Sequence, residues 1–459
     1  MKNNDPQSSA SAYQWQQQKP GSELINTLLD EFVSSLPFLA KLKEDLLCQT
    51  GTRLVDWVEH FEINFASKPD FQKSLERCGF QRVTGVEKET YLHPGALFPT
   101  VSCSSDQNNR IEIKVDSVID FLTAHQLQTE IQGEPAAARR SAKVDRHKEN
   151  HEAWVIEKHG LRNWEPQDDP AAISPLLPSI YENFMTRNRN ASSNQAAFQA
   201  TTELIDDSIS KIGVNRTCDL FFHTERHYWQ IRNKAARIQK ARQDSLGVGW
   251  GNHDHHTYRS SRESFNDLVA ILEKLGFQCR ENFYAGAEAG WGAQVLEQPN
   301  CGLVVFADVD LTAEELTGDF AHDGLVQHHK LGTIGTWCAL HGESFLQAGL
   351  HHLECQFDYT AARKLLKLDG IGSMDAFTDF EFLKQCFTLP EIWPVDENRI
   401  ESLLSQRQIS KSQADEFRTK GAVGSHLEIL ERNNGFKGFN QSGVSDIISM
   451  TDPRKLIDN

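Results

Sequence analysis

The feature that most constrains this chain is a pattern that occurs twice. Residues 58–127 read as β-α-β-β-β: an alternating strand in VEHFEINFA, a helix over 68–78 with Pro69 in its first turn, and strand-like pieces at 81–86, 98–103 and 110–115. Residues 250–310 open in the same order, with a strand over 254–259 and a helix over 264–275. The first helix ends LERCGF and the second LEKLGF, with glycine where a helix closes through a left-handed cap. Each opening strand carries a histidine: His60 lies 20 residues before Phe80, and His255 lies 22 before Phe277. Each unit also has an acid in what reads as its last strand, Glu112 and Glu297. A Gly-Phe after a helix is common. Shared order, length and ending together predict an internal duplication.

The rest of the chain is arranged around these units. A chain of 459 residues exceeds one ordinary core and predicts two or three domains. Residues 1–20 are polar and Gln/Ser-rich and read as a disordered tail. Residues 21–57 carry Leu24, Leu28, Leu29, Phe32, Leu36, Leu39 and Leu42 at helical spacing and read as a helical lead-in. The first unit then occupies 58–128, a helical connecting region 129–248, the second unit 249–310, and a mixed C-terminal region 311–459. That last region holds two more alternating runs, LHHLECQFDY with His351, His352 and Glu354, and SHLEIL with His426 and Glu428. They suggest parts of a degenerate third unit.

Composition narrows the function. A formal charge of −17 stands against nucleic acid as the main partner, because phosphate binding needs a basic face. The basic stretches 226–242 and 139–148 read as solvated faces. Nine scattered cysteines with no CxxC point to a reducing compartment. No apolar run reaches the length of about 18 residues needed to span a bilayer, and no signal-peptide core is present, so a cytoplasmic protein is expected. Phosphate-binding loops, a G-x-S-x-G elbow and HExxH are all missing from the sequence.

What remains is histidine and carboxylate chemistry. Two imidazoles and one carboxylate are the usual donor set for mononuclear iron(II). Strand period two places His253 and His255 on one face and His256 on the other. The expected ligand set is His60, His255 and Glu297. Asp254, His253, His256 and Glu112 are held as supporting or reserve groups, the pair His328-His329 reads as a polar loop, and His351-His352 is a reserve source of ligands.

These residues resemble the vicinal oxygen chelate superfamily, and within it the 2-oxoadipate dioxygenase/decarboxylase family. The carriers of the resemblance are Glu59-His60, the run Asp254-His255-His256-Thr257-Tyr258-Arg259 against an Asn-His-x-Thr-x-Arg pattern, and Val295-Leu296-Glu297-Gln298. The resemblance implies an α+β fold in which paired β-α-β-β-β units form a half-barrel metal cavity. It implies iron(II), or another divalent metal, and a dioxygenase that takes a carboxylate-bearing 2-oxo acid and O₂, with decarboxylation. An arginine that the family places four residues after the first histidine is Asn64 here. Arg259, Arg280 and Tyr258 are the expected substrate contacts in its stead, since a guanidinium can hold a carboxylate through two parallel N–H bonds. Two other readings stay open: a non-oxidative isomerase or lyase of the same fold, and a metal-free binding protein.

Overall fold

The computed structural model describes residues 15–84, 88–104, 107–147, 150–161, 170–440 and 451–455. Most of the tail read as disordered lies outside them.

Two eight-stranded mixed sheets organise the chain. The first contains β1 (Val58–Ile63), β2 (Gln81–Arg82), β3 (Thr90–Leu92), β4 (Thr100–Cys103), β5 (Asn109–Lys114), β6 (Ile131–Gln132), β7 (Arg139–His147) and β8 (His151–Lys158). Its order is β2-β3-β4-β1-β5-β8-β7-β6. The second contains β9 (His253–Arg259), β10 (Gln278–Tyr284), β11 (Trp291–Gln298), β12 (Leu303–Asp310), β13 (His352–Gln356), β14 (Thr378–Phe380) and β15 (Leu383–Phe387). A small hairpin-like pair, β16 (Ile392–Trp393) and β17 (Ala422–Val423), precedes its last strand, β18 (His426–Arg432). The order here is β10-β11-β12-β9-β13-β18-β15-β14, the same arrangement as in the first sheet.

Each sheet is therefore a pair of β-α-β-β-β units. Their opening strands meet antiparallel at the centre: β1 on β5 and β9 on β13. Helices Phe71–Arg77, Val118–Ala124, Phe265–Lys274 and Tyr359–Leu368 follow the four opening strands. The matched helix endings fold alike. Gly79 and Gly276 take φ of 89° and 90°, and Phe80 and Phe277 donate back to Leu75 and Leu272.

Several elements differ from the sequence reading. Residues 110–115, taken as the last strand of the first unit, form β5 and open a second unit, whose β6, β7 and β8 lie in the stretch read as helical connector. The true third strand of the first unit, β3, has three residues and is too short to show alternation. Glu297 lies on β11, because β12 is the last strand of its unit. The two alternating C-terminal runs are β13 and β18, the first and last strands of a complete fourth unit. Helices Glu397–Ser405 and Lys411–Lys420 are inserted before its last strand.

The long helices Asn194–Ile212, Val214–Gln230 and Lys234–Ser245 connect the sheets, and the second of them covers the outer face of the second sheet. Leu353, Cys355, Leu427, Ile429 and Tyr258 belong to the core beneath it. Alternation then sends their neighbours His352, Glu354, His426, Glu428, Thr257 and Arg259 to the opposite, concave face. Helix Thr333–His341 crosses that concave face. Its N-terminus is fixed by the Asp310 carboxylate, which accepts N–H bonds of 2.9 Å from Gly332, Ile334 and Gly335. A Cβ at Gly335 would lie 2.7 Å from Asp310 Oδ2, so the approach requires glycine.

Candidate metal centre

The concave face of the second sheet brings His255, His352, Glu354 and Glu428 within ligand distance of one another, all of them buried. The pairing explains how. His255 on β9 is opposite Glu354 on β13, and the parallel register of β13 with β18 sets His352 beside His426 and Glu354 beside Glu428. Two His-x-Glu pairs thus align side by side. His352 Nε2 lies 3.5 Å from Glu354 Oε1 and 3.5 Å from Glu428 Oε2, and His255 Nε2 faces Glu354 Oε2.

A second layer sets the orientation of His255. Its Nδ1–H donates to Asp254 Oδ1 at 2.8 Å, leaving Nε2 toward the carboxylates. Asp254 also receives Arg432 Nε at 2.9 Å, Arg432 Nη2 at 3.0 Å and Gln356 Nε2 at 2.8 Å. Burial opposes the Asp254 charge, but Arg432 and His255 hold its carboxyl well below the usual range. Burial lowers the His255 imidazole to about 4 despite that anion, so the ring is neutral with a lone pair to give. Phe306 and Phe439 pack on the His255 ring with centroids 4.7 and 5.1 Å away.

Arg432 acts on the Glu354 and Glu428 carboxylates from a distance but pairs with neither. Gln385 Nε2 donates to Glu428 at 2.9 Å, and among the described residues neither acid pairs with Lys or Arg. Burial raises both, repulsion from Glu428 raises Glu354 further, and Glu428 is pushed up to about 7. Two buried carboxyls sharing a space with two neutral imidazoles fit a divalent first-row ion, which would neutralise them.

The structure separates the other expected ligands. His60 holds the position in the first sheet that His255 holds in the second, opposite Glu112 as His255 is opposite Glu354. The two histidines stand in different sheets, and among the described residues His60 is not grouped with His255 as a potential ligand. Both His60 nitrogens are engaged, Nδ1 with Thr100 Oγ1 at 2.6 Å and Nε2 with Ser102 Oγ at 2.8 Å. Glu112 is neutralised by Arg139 at 2.8 Å, and Trp154 stands beside it where the second sheet has Glu428. Glu297 is on β11, separated from β9 by β12, and pairs with Arg280 at 3.3 Å and Lys437 at 3.4 Å.

The remaining residues divide by strand face. Register is broken at Asp254, and this bulge turns His253 to the helix side with His256, their rings 5.4 Å apart. His256 packs on Phe222 and near Arg226, away from the cavity. Tyr258 also faces the helices and donates to Glu225 Oε2 at 3.0 Å, inside a network with Arg187 and Arg189. Arg280, on β10, pairs with Glu281 and Glu297, and its guanidinium lies 5.6 Å from the Phe439 ring that packs on His255; Tyr258 does not lie on the cavity side of β9. Arg259 does. Glu297, Arg280 and Asp254 instead line a polar cleft of about 670 Å³ that also includes Lys114 and Lys158 of the first sheet.

The fold and this cluster define an α+β protein of paired β-α-β-β-β units with a buried His/Glu set suited to a metal ion. No family model and no curated protein matches the sequence. Among solved structures, a variant of 4-hydroxymandelate synthase from Streptomyces coelicolor aligns at 11% identity over 88% of this chain and 98% of that one, with a TM-score of 0.28. Methylmalonyl-CoA epimerase from Mycobacterium tuberculosis aligns at 12% identity over 40% and 88%, with a TM-score of 0.22. The Shigella flexneri protein YdcJ aligns at 12% identity over 56% and 73%, with a TM-score of 0.25. Likeness at this level carries no argument about activity, which has to rest on the residues themselves. Among the described residues no helix is long and apolar enough to cross a membrane.

Proposed function

We propose that the second half-barrel is the active site of a metal-dependent enzyme, an iron(II) dioxygenase that takes a small 2-oxo acid and O₂. The observation that carries this reading is the buried set His255, His352, Glu354 and Glu428, with His255 oriented by Asp254. His255, His352 and Glu428 would hold the ion, with Glu354 beside them. When bound, a divalent ion supplies Lewis acidity and a template for adjacent substrate oxygens, and iron(II) adds the capacity to use O₂.

The chain's own residues do the rest. Asp254 keeps the proton on His255 Nδ1. Phe306 and Phe439 close over the ring and exclude water. Arg259, on the cavity face, supplies positive charge for a substrate carboxylate.

Oxygen consumption by protein purified anaerobically and loaded with iron(II), on addition of 2-oxo acids, tests this function. Uptake that disappears in Glu428→Gln is the expected result; metal binding without uptake on any 2-oxo acid overturns the oxidative reading. One observation favours a second reading, a non-oxidative isomerase or lyase. Glu354 adds a second acid beside Glu428, and burial that raises a carboxyl makes its ionised form a stronger base toward a proton on carbon. Exchange of substrate protons with D₂O in the absence of oxygen is its signature.

A further inference from the structure

Beyond the metal-facing atoms, the concave face holds a group of buried nitrogens with no hydrogen-bond partner among the described residues. They are Arg259 Nε and Nη1, His351 Nε2, and both ring nitrogens of His426. Arg259 is 2% exposed, His351 1% and His426 0%, so none is satisfied by bulk water. They gather around Trp337. The Arg259 guanidinium lies 5.6 Å from its ring and the His351 ring 5.4 Å from it, and the rings of His351 and His426 are 4.7 Å apart. The Trp337 indole N–H is itself used, donating to Gly424 O at 2.9 Å.

We propose that Arg259, His351 and His426 form an anion subsite that seats a carboxylate of the substrate beside Trp337. Among the described residues Arg259 forms no ion pair: Asp308, its register partner, and Asp452 and Asp310 favour its charge only at a distance, and its one hydrogen bond is a 3.4 Å contact with Thr451. A buried guanidinium left so is costly unless an anion joins it. A carboxylate would take N–H bonds from Arg259 and from the imidazoles.

The position also fits chelation at the neighbouring ion. His352 divides the two places: its Nδ1 lies 2.9 Å from His351 Nδ1, while its Nε2 faces Glu354 and Glu428. The inference rests on the reading of the half-barrel as a substrate cavity. His351, His352 and His426 are also close enough to share a cation of their own, but the neighbouring Arg259 charge opposes one.

Calorimetric titration of the full chain with glutarate decides the matter, with cobalt(II) titrated in parallel. The expected result is saturable glutarate binding, weakened at least tenfold in Arg259→Gln, partly restored in Arg259→Lys, and weakened at least threefold in His426→Phe. One equivalent of cobalt(II) should bind to every variant, which also shows that each is folded. Absence of glutarate binding, or equal affinity in wild type and Arg259→Gln, overturns the subsite. So does a second equivalent of cobalt(II) that is lost in His426→Phe, since the imidazoles would then serve a cation. If wild type binds glutarate through Arg259 but takes up no cobalt(II), the subsite stands and the metal-enzyme reading falls.

Discussion

His255 on β9 stands directly opposite Glu354 on β13, at the seam where the two units of the second sheet meet. The same seam in the first sheet sets His60 opposite Glu112. The two half-barrels then diverge in the strand alongside: Glu428 flanks Glu354, whereas Trp154 flanks Glu112 and Arg139 cancels its charge. The fold holds two equivalent places, and among the described residues the second keeps a donor set for a cation.

The tether on His255 gives the first prediction. Asp254→Asn keeps the shape but removes the charge that orders both His255 and Arg432. Loss of such an outer partner weakens metal affinity by about 10- to 100-fold. Competition with a chelator measures it. Unchanged affinity would show that packing by Phe306 and Phe439 alone orients the ring.

The paired acids predict a pH dependence in metal-free protein. Burial raises both carboxyls, and Glu428 moves from 4.5 to about 7 in the folded chain. A folded-state pKa above the unfolded one means that the folded protein holds more protons. The Glu428 contribution is then fully present below about pH 4.5 and is lost as the pH rises through about 7, and Glu354, raised in the same direction, adds to the loss. For Glu428 alone this is on the order of 3 kcal/mol. Melting of chelator-treated wild type should fall relative to Glu428→Gln across that window, and a pH-independent difference would contradict the account. Added metal should reverse the trend, because it binds the ionised pair.

Tyr258 separates structural from substrate roles. Its hydroxyl donates to Glu225, which also receives Arg187 and Arg189 in a fully buried network. Tyr258→Phe removes one bond to a charged group and should cost about 1.5–3 kcal/mol. Glu225→Gln leaves two buried guanidinium groups without their anion and should cost about 3–5 kcal/mol. Thermal or denaturant unfolding reads both. Metal content should be unchanged in the folded fraction of each, and a selective loss of metal in Tyr258→Phe would restore that residue to the site.

The fold was legible where information is local. The helix endings at Gly79 and Gly276 are encoded within six residues, and both adopt the same cap. The histidine of each opening strand was legible too, and His255 belongs to the cluster. The partners of His255 were not, because they depend on pairing between distant strands. The pairs His352-x-Glu354 and His426-x-Glu428 stand in the sequence at strand period, but they acquire meaning only when β13 and β18 lie parallel across the intervening segment 357–425. The bulge at Asp254, which parts His253 from His255, leaves no mark in the residue pattern. Tyr258 shares the helix face with His256 by strand period two, and the odd positions His255, Thr257 and Arg259 take the concave face.

Metal content of three proteins, wild type, His60→Ala and Glu428→Gln, purified anaerobically and reconstituted with iron(II), tests the central claim most directly. His60 is bound by Thr100 and Ser102 in the first half-barrel, so its removal should leave one equivalent of metal per chain, as in wild type. Glu428→Gln should lose the metal while remaining folded. Loss of metal in His60→Ala, or full occupancy in Glu428→Gln, would contradict a centre built on His255, His352, Glu354 and Glu428.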